Sequence, residues 1–386
     1  GDLVQRSGVA AILRRAGRVM SIDVEGRLRD VPTPERVRRA LEELGPTFVK
    51  LGQILAGRRD LLPPDWIQEL SRQHAALEPL PWSELVGQVT EDLGADPNSV
   101  FAELDETPHA AGSIAQVHAA ILPDGTRVVL KIRRPRIVER CAAELRWLAR
   151  IASMLEREEP ELKRYSPRAV VRQFARTLRE ELDLRREAAH LKEIAGQLTD
   201  DFVVVPRVYP QWTSERVLVM SRLEGMPAGA WVVGGRPEGF DAEGVAARGA
   251  RAVVDMVFRH GVFHADPHPG NLLLMPDGHV GLLDFGMVGR LSDERRRELL
   301  LLFAGVLRRD VDEVVEVLLR WSDADASLDE LASDCASFID RYRGLALEEL
   351  DVTRMLLDVT TIVRENDLVL PSDVALLIKV FVTLEG

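Results

Sequence analysis

The sequence predicts an α+β protein of two lobes, a small one built on an antiparallel sheet and a larger helical one, with a helical extension in front. Three observations carry this prediction. Apolar residues recur at helical spacing through the first hundred positions and again from Ala242 to the end. Between these stretches the pattern turns strand-like at Val100, and Ser113–Ile121 and Arg127–Ile132 flank Asp124-Gly125, a hairpin signal. A second hairpin is signalled where Asn271–Met275 and His279–Leu283 are joined by Pro276-Asp277-Gly278. The expected divisions are a helical extension over 1–99, a small lobe with inserted helices over 100–222 and a helical lobe over 223–386.

The 386 residues, 46% hydrophobic and 29% charged, describe a globular chain with ample material for a core. Fifty Lys and Arg against 62 Asp and Glu give a formal charge of −12, which argues against a general nucleic-acid binder. The first sixty residues reverse the balance, with 12 basic and 8 acidic side chains. Two cysteines, Cys141 and Cys335, supply neither a disulfide framework nor a metal set, so a reducing, cytoplasmic compartment is expected. No run approaches the ~18 apolar residues of a membrane span. The longest, Leu299–Leu307, reads as a buried helix. The chain begins with Gly and stops just after an apolar helical pattern, so any membrane-spanning tail is expected outside it.

In chain order, Val9–Leu13 with Arg14, Arg15 and Arg18 forms a first helical segment. It is either a solvated face or a peripheral contact with an anionic membrane. Pro34–Leu44 follows Thr33 as a cap, and Lys50-Leu51-Gly52-Gln53 comes soon after. Trp82–Leu93 is amphipathic and is ended by Gly94 and Pro97. After the first hairpin come two helical stretches, Ile137–Leu155 and Pro167–Leu198, in the second of which Asp183 and Glu187 are expected to share a face. Strands at Phe202–Val205 and Arg216–Met220 are expected to complete the small sheet, and Leu223-Glu224-Gly225 reads as the hinge. The second lobe opens with a helix over Ala242–His260.

The second hairpin carries the chemistry. Asn271 at one end and Asp284 at the other return to the same sheet edge, with Asp266 on the loop leading in. Two hard oxygen ligands beside a separate carboxylate are what phosphoryl transfer requires: Mg²⁺ bridges the nucleotide phosphates, and the remaining acid takes a proton or orients the nucleophile. The spacing matches the catalytic-loop Asp, its Asn and the Asp-Phe-Gly of kinases, although Ala265 stands where kinases place Arg. The competing readings are a set of turn-formers and caps, and a zinc site of His260, His264 and His268. Pro267 and Pro269 exclude the helix that would put the last two histidines on one face.

Lys131, on the second strand of the first hairpin, is placed to reach the α/β-phosphates; the alternative is an ordinary edge-strand Lys. Glu187 is the candidate to hold it there. Ala110-Ala111-Gly112-Ser113 occupies the place of a Gly-rich phosphate cover with a single glycine. After Asp284-Phe285-Gly286 the chain enters a helix at Ser292, leaving no room for a long activation segment or a peptide platform.

Taken together, Lys50-Leu51-Gly52-Gln53, the turn at 110–113 with Ile114-Ala115-Gln116-Val117-His118, Lys131, Glu181-Leu182-Asp183, His264-Ala265-Asp266-Pro267-His268-Pro269-Gly270-Asn271 and Asp284-Phe285-Gly286 resemble the UbiB family of atypical kinases. The resemblance covers residues 40–290 strongly. It implies a protein-kinase-like fold, ATP or ADP as ligand, Mg²⁺ or Mn²⁺ on Asn271 and Asp284, Asp266 as the catalytic carboxylate and Lys131 paired to Glu187. It also implies that the Lys-x-Gly-Gln helices cover the site, with Lys50 and Gln53 directed to Glu181 and Asp183. Members support isoprenoid-quinone or lipid metabolism, many at membranes, so a lipid or quinone precursor is an expected ligand. The expected function is thus an atypical kinase or ATPase. A nucleotide-binding pseudokinase scaffold and a conventional protein kinase are the alternatives.

Overall fold

The computed structural model describes residues 33–57, 62–72, 78–158, 167–198, 201–230, 241–322, 327–343, 351–366 and 368–385. The Arg-bearing segment at 9–18 lies outside the described residues. Helices α1 (Thr33–Leu44), α2 (Pro46–Ala56) and α3 (Pro64–Ser71) come first. Gly45 divides α1 from α2 at φ +114°, a backbone that demands glycine, while a Cβ there would also press on the flexible end of Arg140. Pro46 fits the first turn of α2, where its missing N–H costs no helical bond.

Helix α4 (Trp82–Leu93) ends at Gly94 in the left-handed region, and the short α5 (Pro97–Val100) is capped by Asp96. Strands β1 (Glu103–Leu104), β2 (Ala110–Ala111), β3 (Ala115–Ile121) and β4 (Arg127–Arg133) follow. Next come α6 (Ile137–Glu158), α7 (Pro167–Glu181) and α8 (Leu184–Gln197), then β5 (Val203–Val204) and β6 (Val217–Ser221). The small sheet runs β1-β3-β4-β6, antiparallel throughout, with β2 also on β3. On one face of it Leu130, Ile132 and Val219 pack against Leu85 and Val89 of α4. That helix, expected within the N-terminal extension, therefore shares its core with the sheet. Each such buried aliphatic contributes about 1.5–3 kcal/mol.

Helices α1–α3 instead pack on the inserted helices, Phe48, Leu51 and Trp66 meeting Leu145, Phe174 and Leu178. The stretch expected to be one helix over Pro167–Leu198 is broken at Leu182-Asp183. Asp183 leaves helical geometry at φ −106°, ψ 99°, and its carboxylate caps α8 by accepting from the Arg185 amide at 3.1 Å. Capping wins over helix continuation because a short acidic side chain satisfies an otherwise orphan N–H. Asp183 and Glu187 consequently do not share a helical face.

The second lobe contains β7 (Met226–Pro227), α9 (Ala242–Val254) running into a π-helical turn at Asp255–His260, β8 (Val262–His264), β9 (Leu272–Leu274), β10 (Val280–Leu282) and β11 (Val288–Arg290). Helices α10 (Asp293–Arg308), α11 (Val311–Trp321), α12 (Leu328–Arg341), α13 (Val352–Glu365) and α14 (Ser372–Glu385) complete it. Its sheet runs β5-β10-β9-β7, while β8 and β11 form a separate ladder. The strand expected at Phe202–Val205 to complete the small sheet is thus the shorter β5, and it pairs in parallel with β10 (Val203 opposite Val280). Its apolar side chains join the core of the second lobe, a partnership that local strand propensity does not specify.

Within α10 the run Leu299–Leu307 is buried on one side only: Leu299 and Leu302 are inaccessible while Leu300 is 52% exposed. Nine apolar residues in succession circle a helix of 3.6 residues per turn, and this one packs on a single face. Among the described residues no helix is long and apolar enough to cross a membrane.

Candidate active site

Strand alternation in β4 turns Leu130 and Ile132 into the core under α4 and sends Lys131 to the opposite face, toward the second lobe. There its Nζ donates to Glu187 Oε1 at 2.8 Å and to Asp284 Oδ1 at 3.0 Å. Glu187 lies in the first turn of α8 and is buried. Burial alone would push the Lys131 pKa down, but Asp284 and Glu187 outweigh it and raise it far above the ordinary value. The Lys131 ammonium holds the Asp284 carboxyl well below the usual carboxylate range, against the effect of burial.

The hairpin of β9 and β10 is closed by the Leu283 amide donating to the Asn271 carbonyl at 2.8 Å, so Asn271 and Asp284 emerge at one edge. Asp284 adopts φ +55°, an uncommon conformation that Asp tolerates better than most residues. Asn271 donates its Nδ2 to the Asp266 carbonyl at 3.0 Å, which leaves Oδ1 available as a hard ligand. His264 fixes the same corner: Nε2–H donates to the Leu283 carbonyl at 2.8 Å and Nδ1 accepts from the Asp266 amide at 3.1 Å. Burial lowers its pKa, in keeping with a neutral ring. Both ring nitrogens are spent on backbone, which removes His264 from any zinc set.

Among the described residues no three His, Cys, Asp or Glu side chains group as a metal cage. The residues fit Mg²⁺ better, which takes one or two protein oxygens and completes its shell with phosphates and water. Asn271 Oδ1 and the second oxygen of Asp284 are of that kind. Beside them, a Cβ at Gly286 would meet Asp284 Oδ1 at 3.2 Å and Glu181 Oε1 at 4.0 Å. Glu181 Oε2 is buried with no hydrogen-bond partner among the described residues, an atom that a cation or donor would satisfy.

Lys50, from α2, pairs with Glu181 at 2.7 Å. Burial works against its charge, but Glu181, Asp284 and Asp266 together raise its pKa. Of the two acids expected to face Lys50, Asp183 is engaged elsewhere, by Arg185 at 2.8 Å. Gln53, one turn along α2, is half-buried and has no side-chain hydrogen bond among the described residues. The turn at 110–113 begins with β2, and Gly112 donates its amide to the Ala115 carbonyl at 2.8 Å. Arg134, which no sequence motif marks, donates to the Gly112 carbonyl at 3.0 Å and to the Glu78 carbonyl at 3.0 Å, tying that turn to the segment before α4.

Two further residues stand outside the motifs. His190 of α8 donates to the Phe285 carbonyl at 2.9 Å, and Phe285 is buried edge-on to His264. Lys379 of α14 reaches Asp266 Oδ1 at 2.7 Å. Burial would raise the Asp266 pKa, but Lys379 beside it prevails and lowers it. The signal for Lys379 is faint: it is the one charged side chain between Asp373 and Glu385.

A small antiparallel lobe whose strand Lys meets a helix Glu, set on a helical lobe with this loop and hairpin, defines a protein-kinase-like fold. Residues 72–318 match the ABC1 atypical kinase-like domain and residues 335–386 match the UbiB helical domain. The chain belongs to the ABC1/UbiB family of atypical kinases, as its motifs led us to expect. Among solved structures it is similar in fold to Rv3197 of Mycobacterium tuberculosis, determined as a complex with erythromycin, at 22% identity over 94% of this chain and 95% of that one, with a TM-score of 0.53.

Proposed function

We propose that this protein is an atypical kinase or ATPase that binds Mg-nucleotide between its lobes. The observation that carries this reading is the single ammonium of Lys131 joined to Glu187 and Asp284, at the edge where Asn271 and Asp266 also emerge. Lys131 orients the phosphates, with Glu187 fixing its position and the turn at 110–113 covering the nucleotide. Asn271 and Asp284 hold a divalent ion, which when bound neutralises charge on the phosphates. Asp266 takes the proton of the attacking hydroxyl or water, so that the acceptor gains the phosphoryl group and ADP leaves. Lys50, Gln53 and Glu181 gate access from the α2 side.

The acceptor is a small molecule, a lipid or quinone precursor being the family-based choice. The segment after Asp284 supports a small acceptor. The Met287 carbonyl accepts from the Ala265 amide at 3.1 Å, and β11 pairs directly with β8 before α10 begins. A segment stitched down in this way offers no platform for a peptide, against the reading as a conventional protein kinase. Phosphate release from Mg-ATP, compared between the intact chain and Asp284→Asn, tests the proposal: release that the substitution abolishes supports it, and release that survives removes it. A nucleotide switch without turnover is the second reading, favoured by the Lys50–Glu181 pair closing over Gly286. Nucleotide that raises the melting temperature without phosphate release would select it, and liposome co-sedimentation would test for a membrane partner.

A further inference from the structure

We propose that Lys379, delivered by the last helix, is a catalytic residue that contacts the transferring phosphoryl group. The inference rests on the kinase or ATPase reading and adds a residue to it. The loop Asp266-Pro267-His268-Pro269-Gly270-Asn271 contains no Lys or Arg, so a cation at the point of transfer must come from another element. Phosphoryl transfer spreads negative charge over the migrating group, and a fixed cation aimed there lowers the barrier.

The geometry supplies such a cation. Lys379 Nζ holds Asp266 Oδ1 at 2.7 Å, while Oδ2 has, among the described residues, no closer ion partner than His268 Nε2 at 3.9 Å. An acceptor hydroxyl bonded to the freer oxygen would share one carboxylate with the ammonium, each at hydrogen-bonding distance from its own oxygen. The stem of Lys379 is fixed from two sides. Its neighbours Leu377, Ile378 and Val380 are fully buried, which anchors α14. From the other side the end of α2 closes in, since a Cβ at Gly57 would lie 3.4 Å from Lys379 Cδ. Helix packing needs no charge at this position, and the amine is nonetheless aimed at Asp266.

The test compares Lys379→Met and Lys379→Arg with the intact chain and Asp284→Asn. Calorimetry measures Mg-ADP alone and Mg-ADP with aluminium fluoride, a mimic of the migrating phosphoryl, and phosphate release is followed in parallel. Lys379→Met is expected to bind ADP within about threefold of the intact chain, to lose at least ~10-fold for the fluoride complex and to lose about 100-fold in kcat, with Arg recovering much of both. Equal weakening of ADP and its fluoride complex would mean a structural role and overturn the proposal, as would faster turnover, which would mark Lys379 as an inhibitory latch. If Met does not fold, Lys379→Gln replaces it; if neither folds, the residue is structural and the proposal falls. Turnover abolished by Asp284→Asn but untouched at Lys379 overturns this inference alone. An intact chain without turnover overturns the kinase or ATPase reading and this inference with it.

Discussion

Lys131 and Asp284 meet at 3.0 Å, one on a strand of the small lobe and the other just past the hairpin of the second. The same ammonium holds Glu187, which has no other side-chain partner among the described residues. Lys131→Met should therefore strand a buried carboxylate and cost about 3–5 kcal/mol in stability. Adding Glu187→Leu should recover most of the melting temperature and none of the turnover, a separation that denaturation and phosphate-release assays can read together.

His264 joins the Asp266 amide to the Leu283 carbonyl through one neutral ring. His264→Phe keeps a ring but leaves two part-buried backbone groups without this partner, with an expected loss of about 1–3 kcal/mol. Hydrogen exchange at the Asp266 amide should accelerate well beyond the change in global stability. Unchanged exchange there would dismiss the histidine as a corner brace.

Gly45 permits the break between α1 and α2 and lies against Arg140. Gly45→Ala should cost about 1–3 kcal/mol from the positive-φ extended backbone alone, a region essentially confined to glycine. Because α2 carries Lys50, nucleotide affinity should change along with the melting temperature, whereas a control at the open Gly87 should alter neither nucleotide affinity nor the site.

The carboxyl of Asp183 is held below its ordinary pKa chiefly by the Arg185 side chain, with burial opposing. A depressed folded pKa contributes stability above the unfolded value of about 3.9, and that contribution disappears as pH falls through the folded value. Asp183→Asn retains a capping side chain without a titrating one. Melting temperatures measured from pH 5 down to 3 should fall more steeply for the intact chain than for the variant. Parallel curves would show that this cap carries no charge-dependent stability.

Local patterns made much of this legible. Turn residues at Asp124-Gly125 and Pro276-Asp277-Gly278 announce both hairpins, and with them the placement of Lys131, Asn271 and Asp284. Long-range choices left weaker marks. Val203-Val204 looks like any short strand, and only the shared core decides that it lies beside Val280. Asp183 resembles a mid-helix acid until the chain breaks to let it cap. Lys379 stands 113 positions from Asp266, joined to it only by the packing of the last helix, which periodicity cannot orient.

Phe285 is inaccessible, its carbonyl is held by His190, and its ring rests edge-on to His264. In kinases the packing of this phenylalanine sets the active or the inactive arrangement. Here swinging Phe285 out would break a hydrogen bond and an aromatic contact together. Chemical probes for this protein are better sought among compounds that leave Phe285 in place and exploit the wall formed by Lys50 and Glu181.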